Sequence, residues 1–410
     1  MKVLILSQYF WPESFRINEV AQSLRDAGCE VTVLTGQPNY PDGAVFPGYR
    51  AWAIGQQQYA GFTVYRVPLM PRGRANGVRL LVNYLSFVVA ATLFGPYSLR
   101  GKRFDVIFVY AISPILQAIP GMVLRRTTGA ALVTWVQDLW PKSLEVTGFV
   151  RNPRVLALVA GLVRWIYRRS DLLLVQSPGF VPLVSAMAGG TPVEYHPNPG
   201  ELAFNQDSQQ LPALRLDPGF NVVFAGNLGT VQALDTVLAA AKLLQNLPKV
   251  RLVLIGSGSR AGWLKQEAQR MGLTNIQMPG RFSADDMPGI LKQASALLVT
   301  LARSPIMSQT VPSKIQAYLA AGRPIIASLD GEGARVVSEA QAGSACPAEN
   351  APALAAAVRD LYETSEDERQ RMGENGRAFY AQHYEPSLLA QRLKQRFDDV
   401  VAIRNSAREF

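Results

Sequence analysis

Nearly continuous apolar runs alternate with helix-length segments through the first half of the chain. The earliest run, VLILSQYF (residues 3–10), has the pattern of a buried strand. Residues 14–27 follow with Phe15, Val20 and Leu24 at helical spacing, and Gly28 is a typical helix stop. Because apolar strands separated by helices are typical of a parallel sheet covered on both faces, this half predicts an α/β domain. Further strands are predicted at residues 30–36, 105–110, 131–138 and 171–177.

The alternation is interrupted between residues 195 and 219, where Pro, Asn, Gln and Gly replace the apolar periodicity, and then begins again. This stretch predicts an interdomain connection. The second series predicts another doubly wound α/β unit. Because ligands of such sheets bind beyond the carboxyl ends of the strands, we expect the site in a central cleft between two units. The second series comprises predicted strands at residues 220–229, 251–259, 296–301 and 324–329, and helices at 233–247 and 313–321.

The charge of the chain is unevenly distributed over its 410 residues, a length that allows two or three domains. Residues 1–200 hold 19 Lys and Arg against 10 Asp and Glu, whereas the remaining residues hold 22 against 21. A basic half beside a neutral half indicates an anionic partner: nucleic acid, an anionic bilayer or a phosphorylated lipid. Cys29 and Cys346 form neither a disulfide framework nor a CxxC metal site, which fits a reducing compartment.

Residues 80–96 are apolar enough to raise the question of membrane contact. The segment is at or below the roughly 17–25 residues of a membrane span, and Asn83, Ser86 and Thr92 interrupt it. Three interpretations remain open: a buried helix, an interfacial element and a span. Residues 151–169 combine aliphatic side chains and Trp165 with arginines, which suits a headgroup boundary. The basic residues that flank the first segment are Arg72, Arg74, Arg79, Arg100, Lys102 and Arg103.

Six motifs, in order, carry a resemblance to a known family over nearly the full chain. They are YFWPE (9–13), QDLWP (137–141), PNPGE (197–201), FAGNLGTVQALD (224–235), LVLIGSG (252–258) and VPSKIQAYLAAGRPIIA (311–327). Together they resemble family 4 glycosyltransferases of the GT-B fold, in particular those of capsule, colanic acid and O-antigen synthesis, including N-acetyl-fucosamine transferases. The resemblance implies two Rossmann-like doubly wound domains facing a central cleft. Residues 1–200 would form the acceptor side, residues 201–384 would bind the donor, and a helix at 385–410 would pack back on the first domain.

The resemblance also implies a retaining transfer from a nucleotide-diphosphate sugar, with UDP favoured over GDP, and with no cofactor and no essential divalent metal. The sequence agrees in lacking an Asp-x-Asp motif, which metal-dependent transferases commonly use. Helix N-termini, glycine turns and basic side chains must then balance the diphosphate. Lys314, which follows Ser313 at a predicted helix start, is the first candidate, and a plain surface lysine is the alternative.

The predicted turn after residues 220–225 departs from the family pattern. Gly226, Asn227 and Gly229 would let backbone approach phosphates. Many family members carry an Arg and a Lys in this region, where this chain has Asn227 and Gln232. Without those two cations, Lys314 is the main candidate to balance the diphosphate charge, and Arg281 and Arg303 are additional candidates.

The acidic pair that family members often place around the donor helix is also absent. Its positions correspond to Gln309, which can still hydrogen-bond a sugar hydroxyl, and Ala317, which cannot hold a ribose through its side chain. Glu332 could bind the ribose in place of the missing acid. The alternative is a solvated acidic residue in a loop. Arg281 and Phe282 resemble the loop that frames the nucleotide base.

On the acceptor side, Glu13 and Asp138 each follow an apolar strand and are expected at one edge of the N-terminal sheet. Asp138 would orient, or accept a proton from, an acceptor hydroxyl, and a capping aspartate is the alternative. Arg16 would contact phosphate or pair with Glu13. Asp138, Lys314 and Glu13 are therefore the predicted catalytic residues, and no metal site is predicted.

The expected function is transfer of a sugar, such as N-acetyl-fucosamine or another amino or deoxy sugar, from a UDP-sugar to a polyprenyl-diphosphate-linked saccharide. We expect a cytoplasmic enzyme, peripheral on the inner face of the cytoplasmic membrane, that contacts the anionic membrane surface and no nucleic acid. Two alternatives remain. A nucleotide-sugar 2-epimerase would release a sugar-nucleotide product without an acceptor, and a non-catalytic assembly scaffold would bind nucleotide sugar without turnover.

Overall fold

The computed structural model describes residues 1–73, 77–146, 148–205 and 213–406. Arg74, residues 206–212 of the predicted connection and residues 407–410 of the predicted last helix lie outside the described residues. The chain divides into two compact units. Unit 1 is Met1–Asn198 together with Pro386–Phe410, and unit 2 is Pro199–Glu385.

Unit 1 is built on a sheet in the order β3-β4-β2-β1-β5-β6-β7-β8. All neighbouring strands are parallel except β3 and β4, which form an antiparallel hairpin. The strands from β1 to β8 are Lys2–Leu6, Glu30–Gly36, Gly55–Tyr59, Phe62–Val67, Val106–Ala111, Ala131–Val136, Leu172–Val175 and Val193–Tyr195.

Helices cover both faces of this sheet because its strands are apolar on both sides. Leu4 and Leu6 contribute to a core with α2, α3, α5 and α6, and Val3 and Ile5 contribute to a second core with α1 and α14. The helices of unit 1 are α1 (Arg16–Asp26), α2 (Gly77–Ser98), α3 (Ala118–Thr128), α4 (Lys142–Val146), α5 (Pro153–Tyr167), α6 (Phe180–Ala188) and α14 (Pro386–Ser406).

Unit 2 repeats the architecture with six parallel strands in the order β11-β10-β9-β12-β13-β14. The strands from β9 to β14 are Phe220–Ala225, Val250–Ile255, Ile276–Gly280, Ala296–Thr300, Ile325–Ser328 and Gly343–Cys346. The helices from α7 to α13 are Leu234–Leu243, Ala261–Arg270, Met287–Leu291, Ser313–Ala321, Glu332–Glu339, Ala351–Glu363 and Glu366–His383.

Several predicted strands run too far into the loops that follow them. The strand predicted at 220–229 ends at Ala225 and the one predicted at 251–259 ends at Ile255, because Gly226 and Gly256 turn the backbone at φ of +141° and +140°. The run at 3–10 ends at Leu6, although residues 7–10 remain buried. The hairpin of β3 and β4 was not predicted, because GQQQY lacks an apolar period.

Helix α2 is the one described helix that is long and apolar enough to cross a membrane, by length and composition. Its inner face, with Asn83, Phe87 and Ala91, is buried against the sheet. Of the three interpretations, a buried helix therefore describes the inner face of α2 and does not describe its outer face. The exposed outer face carries Val78, Leu81, Leu85, Val89 and Leu93.

Helix α14 supplies part of the unit 1 core, and truncating its buried side chains should lower the free energy of unfolding. Phe397 is fully buried, with its ring 5.2 Å from that of Phe108. We predict that Phe397→Ala lowers the free energy of unfolding by about 3–5 kcal/mol, because it leaves a cavity where an aromatic ring packed. Urea unfolding measures the loss. Ile403→Ala, which alters an exposed residue of the same helix, is the control, and equal losses in both variants would contradict this role for α14.

Candidate active site

In unit 2, β9 and β12 are neighbouring strands from which the chain continues in opposite directions. After β9 the chain builds β10 and β11 on one side, and after β12 it builds β13 and β14 on the other. Divergent connections of this kind leave a crevice at the carboxyl ends of the strands, where ligands of open α/β sheets bind. The turn at Gly226 follows β9 and helix α10 follows β12, so both predicted donor motifs lie at this switch point.

Two glycine turns pack backbone to backbone at this edge. The Gly226 N–H donates to the Ile255 carbonyl (2.9 Å), and the Gly256 N–H donates to the Gly280 carbonyl (2.8 Å). A Cβ on Gly256 would collide with the Gly226 carbonyl oxygen, so a side chain does not fit there. Gly226 is exposed, and the turn therefore presents backbone to a ligand at this edge.

The Asn227 side chain folds back on the two turns. A Cβ on Gly229 would lie 2.8 Å from Asn227 Nδ2, and one on Gly258 would lie 2.6 Å from Asn227 Oδ1. Gly258 needs to be glycine because the Leu228 carbonyl oxygen also crowds its Cβ position (2.5 Å), whereas Gly229 leaves room for the flexible Asn227 amide. As a neutral amide, Asn227 adds no charge to the site.

Lys314 extends from the first turn of α10 over the Gly226 turn. Its Nζ donates to Gln232 Oε1 (2.7 Å) and lies 4.5 Å from the centre of the Phe224 ring. A Cβ on Gly226 would lie 2.5 Å from Lys314 Cε, so the glycine makes room for the lysine. Burial lowers the pKa of Lys314 to about 8, because desolvation disfavours the charged form. The helix start adds free N–H groups, with Ser313 exposed and no acid in the first turn.

Gln232 is a site residue whose role the sequence did not reveal. It lies in the 3₁₀ turn Thr230–Gln232, is buried, and accepts the Lys314 hydrogen bond. Thr300, at the end of β12, donates to the Gln232 carbonyl (2.6 Å) and so ties this turn to the neighbouring strand. The residue that stands where family members often have a cation therefore positions the remaining lysine. Its distance of 82 residues from Lys314 along the chain left no local signal.

The other predicted donor residues occupy loops around the same edge. Arg303 is exposed, with Nε 3.5 Å from Asp330 and Nη2 donating to the Ala348 carbonyl (2.9 Å). Glu332 begins α11 and pairs with Arg335 (2.6 Å). Arg303 thus contacts the loops after β13 and β14, and Glu332 is engaged within its own helix.

Two further loops complete this edge. Gln309 ends the 3₁₀ turn Met307–Gln309. The Ser308 carbonyl of this turn lies so close to Gly331 that a Cβ at residue 331 would collide with it. Arg281 is exposed after β11, and Phe282 packs in part on the unit 2 core. The Gly280 carbonyl joins this last loop to the second glycine turn.

In unit 1, Glu13 is buried at the carboxyl edge, in the loop after β1. Its Oε1 accepts the N–H groups of Asn39 (2.8 Å) and Tyr40 (2.7 Å), and its Oε2 accepts that of Phe10 (3.2 Å). Burial raises the pKa of Glu13 to about 7, against the lowering effect of these bonds and of the Arg66 charge. Glu13 thus holds the loops after β1 and β2 together, beneath the surface that a substrate would reach.

A buried amide network, which the sequence did not reveal, connects helix α2 to this edge. Asn83 Oδ1 accepts from Gln8 Nε2 (2.8 Å), and Asn83 Nδ2 donates to the Met70 carbonyl (2.6 Å). Gln117 Oε1 accepts the Gln8 N–H (2.9 Å) and extends the network to the segment after β5. Asn83 was the available signal, because an amide within a largely apolar helix needs hydrogen-bond partners when it is buried.

Above this network, aromatic and charged side chains gather near Asp138. The Arg72 guanidinium lies 5.0 Å from the Tyr40 ring centre and 5.8 Å from that of Tyr9. Burial raises the pKa of Tyr84, and the charge of Arg72 opposes that rise while the charge of Asp138 adds to it. Asp138 is partly exposed, and its carboxylate forms no hydrogen bond with any residue that the structure describes. Arg72 and Tyr84 therefore join Asp138 as candidate residues at this edge, and the sequence pattern did not indicate them.

The remaining predicted groups lie elsewhere in unit 1. Arg16, at the start of α1, pairs with Glu19 (2.5 Å), and the guanidinium that acts on Glu13 is that of Arg66. His196 is buried beside Trp135, with Nδ1 2.9 Å from Arg396 Nη1. Over the described residues, no group of three or more His, Cys, Asp or Glu is placed to hold a metal ion.

Two family profiles match the chain. Residues 14–200 match the glycosyl transferase 4-like domain, and residues 206–379 match the glycosyl transferases group 1. Together the two matches span most of the sequence. The chain belongs to the family 4 glycosyltransferases. Such enzymes use nucleotide-sugar donors and glycan acceptors.

Curated relatives link this glycosyltransferase to surface polysaccharides. A putative colanic acid biosynthesis glycosyl transferase, WcaI of Escherichia coli K12, is 29% identical over 343 residues, 78% of this chain and 82% of the relative. A probable glycosyltransferase, WbjE of Pseudomonas aeruginosa, is 26% identical over 71% of this chain and 74% of its own length. The predicted family and the role in surface polysaccharide synthesis are thereby confirmed.

Solved structures confirm the GT-B fold. The HepE protein of Anabaena, crystallised in complex with UDP, superposes with a TM-score of 0.70 at 15% identity, covering 97% of this chain and all of that one (100%). Sucrose-phosphate synthase from Thermosynechococcus elongatus gives a TM-score of 0.73 at 16% identity, covering 98% and 99%. At these identities the likeness concerns the fold.

The depressed pKa of Lys314 predicts a pH-dependent stability. The folded chain holds this lysine at a pKa of about 8 against an ordinary 10.5, so its protonated form is disfavoured by folding. Relative to Lys314→Met, the wild type should gain about 1–3 kcal/mol of unfolding free energy as pH rises from about 8 to about 10.5. Urea unfolding of both proteins across this range measures the difference. A constant difference would show that Lys314 is not desolvated.

Proposed function

We propose that this protein transfers a sugar, with retention of the anomeric configuration, from a UDP-sugar to a polyprenyl-diphosphate-linked saccharide at the inner face of the cytoplasmic membrane. The observation that carries the donor part is the placement of Lys314 over the Gly226 turn at the switch point of unit 2. Family membership supports retention, and the UDP complex of HepE supports UDP. N-acetyl-fucosamine or another amino or deoxy sugar is the first transferred group to test.

Charge balance supports a donor site without a metal or cofactor. A nucleotide-diphosphate sugar carries two negative charges on its diphosphate. Lys314 supplies one positive charge, and the N-terminus of α10 adds roughly half a charge. The exposed Arg281 is available for the remainder, whereas Arg303 already lies against Asp330. Because these groups balance most of the diphosphate charge, the proposal needs no divalent cation.

On the acceptor side, Asp138 and Arg72 are suited to complementary tasks. The Asp138 carboxylate has open hydrogen-bond positions among the described residues, and can orient an acceptor hydroxyl or accept its proton. The Arg72 guanidinium, packed on Tyr40, offers a planar set of donors to a phosphate of the acceptor. Glu13 fixes the loops after β1 and β2, and Asn39 of the second loop accepts the Arg72 N–H through its Oδ1 (3.0 Å).

The outer face of α2 supports attachment to the membrane. This face is apolar and exposed over the length of the helix, and Arg79 and Arg100 lie at its two ends. Aliphatic side chains bordered by arginines suit the boundary between headgroups and acyl chains. Asn83 links the same helix to Gln8 at the acceptor edge, so membrane attachment would bring a lipid-linked substrate close to Asp138.

Donor binding should depend on Lys314. Removing a charge-assisted contact costs roughly 1.5–3 kcal/mol, so Lys314→Ala should weaken UDP binding about tenfold or more. Isothermal titration calorimetry measures the affinity. Lys265→Ala, which removes an exposed lysine from α8 of the same unit, is the matched control and should bind as wild type. Equal affinity of the Lys314→Ala protein and wild type would remove Lys314 from the donor site.

Transfer should continue in EDTA. The purified chain is incubated with UDP-sugars and a synthetic polyprenyl-diphosphate-linked saccharide, and the elongated lipid is measured by mass spectrometry. Complete loss of product in EDTA, restored by magnesium or manganese, would contradict a metal-independent site. A changed sugar nucleotide formed without acceptor would indicate an epimerase, and binding without turnover on any acceptor would indicate a scaffold.

Membrane attachment should depend on the outer face of α2. We predict that flotation with anionic liposomes rises with the anionic lipid content, falls with salt, and drops about tenfold or more in Val89→Asn/Leu93→Asn. The control is Leu243→Asn/Ile403→Asn, which alters equally exposed apolar residues outside α2. A wild-type chain that ignores anionic liposomes at low salt would rule out attachment through this face.

A further inference from the structure

A second concave site lies in unit 1, at the edge of the sheet opposite to Asp138. It is a cavity of about 350 Å³ at the amino ends of β6 and β7. Strand β6 separates it from Asp138 by about 20 Å along the strand. The site therefore lies outside the reach of the groups assigned to transfer. Its lining residues are Met122, Arg125, Arg126, Gly129, Arg169 and Arg404.

Three helices end at this cavity, and each brings arginine. Helix α3 ends with Arg125 and Arg126 before Gly129, which caps it at φ of +73°. Arg169 follows the end of α5, and Arg404 lies in the last turn of α14. Because α3 and α14 cover opposite faces of the sheet, their arginines meet only around its edge. This convergence comes from tertiary structure and is invisible in the sequence pattern.

The carboxylate of Asp171 forms ion pairs with Arg125 and Arg404. Asp171 Oδ1 pairs with Arg125 Nη2 (2.5 Å), and its Oδ2 pairs with Arg404 Nη1 (2.8 Å) and accepts the Leu132 N–H (2.7 Å). Arg125 Nη1 also donates to the Arg169 carbonyl (2.6 Å). Asp171 thus fixes the inner wall of the cavity and neutralises one of the four positive charges there.

The other two arginines form the outer wall and are exposed. Arg169 lies over the Trp165 ring at 4.4 Å and donates to the Trp165 carbonyl (3.2 Å), so its guanidinium is held in place without a carboxylate. Neither Arg126 nor Arg169 forms an ion pair with any described residue. The C-terminus of each helix carries only about half a negative charge, so it offsets only part of an arginine's charge. Arg125 already engages one carbonyl at the end of α5, that of Arg169.

We propose that this arginine cavity binds a phosphate-bearing anion, such as a phosphomonoester or a diphosphate group. The guanidinium groups of Arg125 and Arg404 are engaged by Asp171, whereas Arg126 and Arg169 have no carboxylate partner among the described residues. These two exposed guanidinium groups suit a doubly charged phosphate better than a singly charged carboxylate. Arginine also matches the oxygen spacing of phosphate through paired N–H donors. The ligand is either a soluble phosphate or the headgroup of a membrane lipid, since Arg169 of the outer wall packs on the exposed Trp165 of α5.

The test compares two double variants of the full chain. Arg126→Gln/Arg169→Gln removes the outer wall and keeps the Asp171 pairs on which the inner wall depends. Arg154→Gln/Arg164→Gln removes the same charge from exposed positions of neighbouring α5 that do not line the cavity. Both variants keep Lys314, so binding at the donor site contributes equally to each.

Two readouts distinguish the sources of phosphate. Calorimetric titration with inorganic pyrophosphate tests a soluble ligand, and flotation with phosphatidic acid vesicles, against phosphatidylglycerol vesicles of matched surface charge, tests a headgroup. We expect Arg126→Gln/Arg169→Gln to lose about tenfold or more in pyrophosphate affinity, in the preference for phosphatidic acid vesicles, or in both. Arg154→Gln/Arg164→Gln should keep the wild-type value of each. Loss in the first assigns a soluble phosphate and loss in the second a lipid headgroup. Equal behaviour of the two variants in both readouts would overturn the proposal.

Discussion

A partly buried lysine that packs against a glycine turn is the interaction on which the proposed donor site of this enzyme depends. Lys314 reaches its position because Gly226 lacks a Cβ, and Gly226 holds its turn because Gly256 allows the two backbones to touch. Gln232 and Phe224 then fix the ammonium group by a hydrogen bond and a ring contact. Desolvation makes this arrangement costly for the apo protein, and such costs are characteristic of sites whose charge is completed by a ligand.

The acceptor unit is likewise held together by buried polar groups. Glu13 satisfies three backbone N–H groups, and Asn83 satisfies partners in three separate segments, so the loops at the carboxyl edge are bound to one another below the surface. Asn39 Oδ1 accepts from Asn83 Nδ2 (3.4 Å) and from the Arg72 N–H (3.0 Å), which ties the segment that carries Arg72 to this base. Because Asn83 belongs to α2, the helix with the exposed apolar face is fixed rigidly to the acceptor edge. The proposed membrane attachment and the proposed acceptor site therefore involve one structural block.

Sequence periodicity predicted the architecture well where burial is continuous, and the site only where motifs are local. The parallel strands of the two sheets, helix α10 and the Gly226 turn follow from apolar runs and glycine placement in consecutive residues, whereas the antiparallel hairpin of β3 and β4 does not. Strand ends were overestimated because buried loop residues after β1 resemble strand residues. The partnership of Gln232 with Lys314 and that of Asn83 with Gln8 join residues far apart in sequence. Pairings of this kind depend on the packed fold, and one sequence holds no local signal for them.

The central claim, that Lys314 is a desolvated cation awaiting a diphosphate, is tested most directly by NMR titration of its side chain. Lysine selectively labelled at Nζ, assigned by comparison with Lys314→Arg, reports the pKa of this group with and without UDP. The account predicts a pKa of about 8 in the free protein and a rise by at least one unit when UDP binds, because a nearby anion favours the charged form. A pKa near 10.5 in the free protein, or one that UDP leaves unchanged, would contradict it.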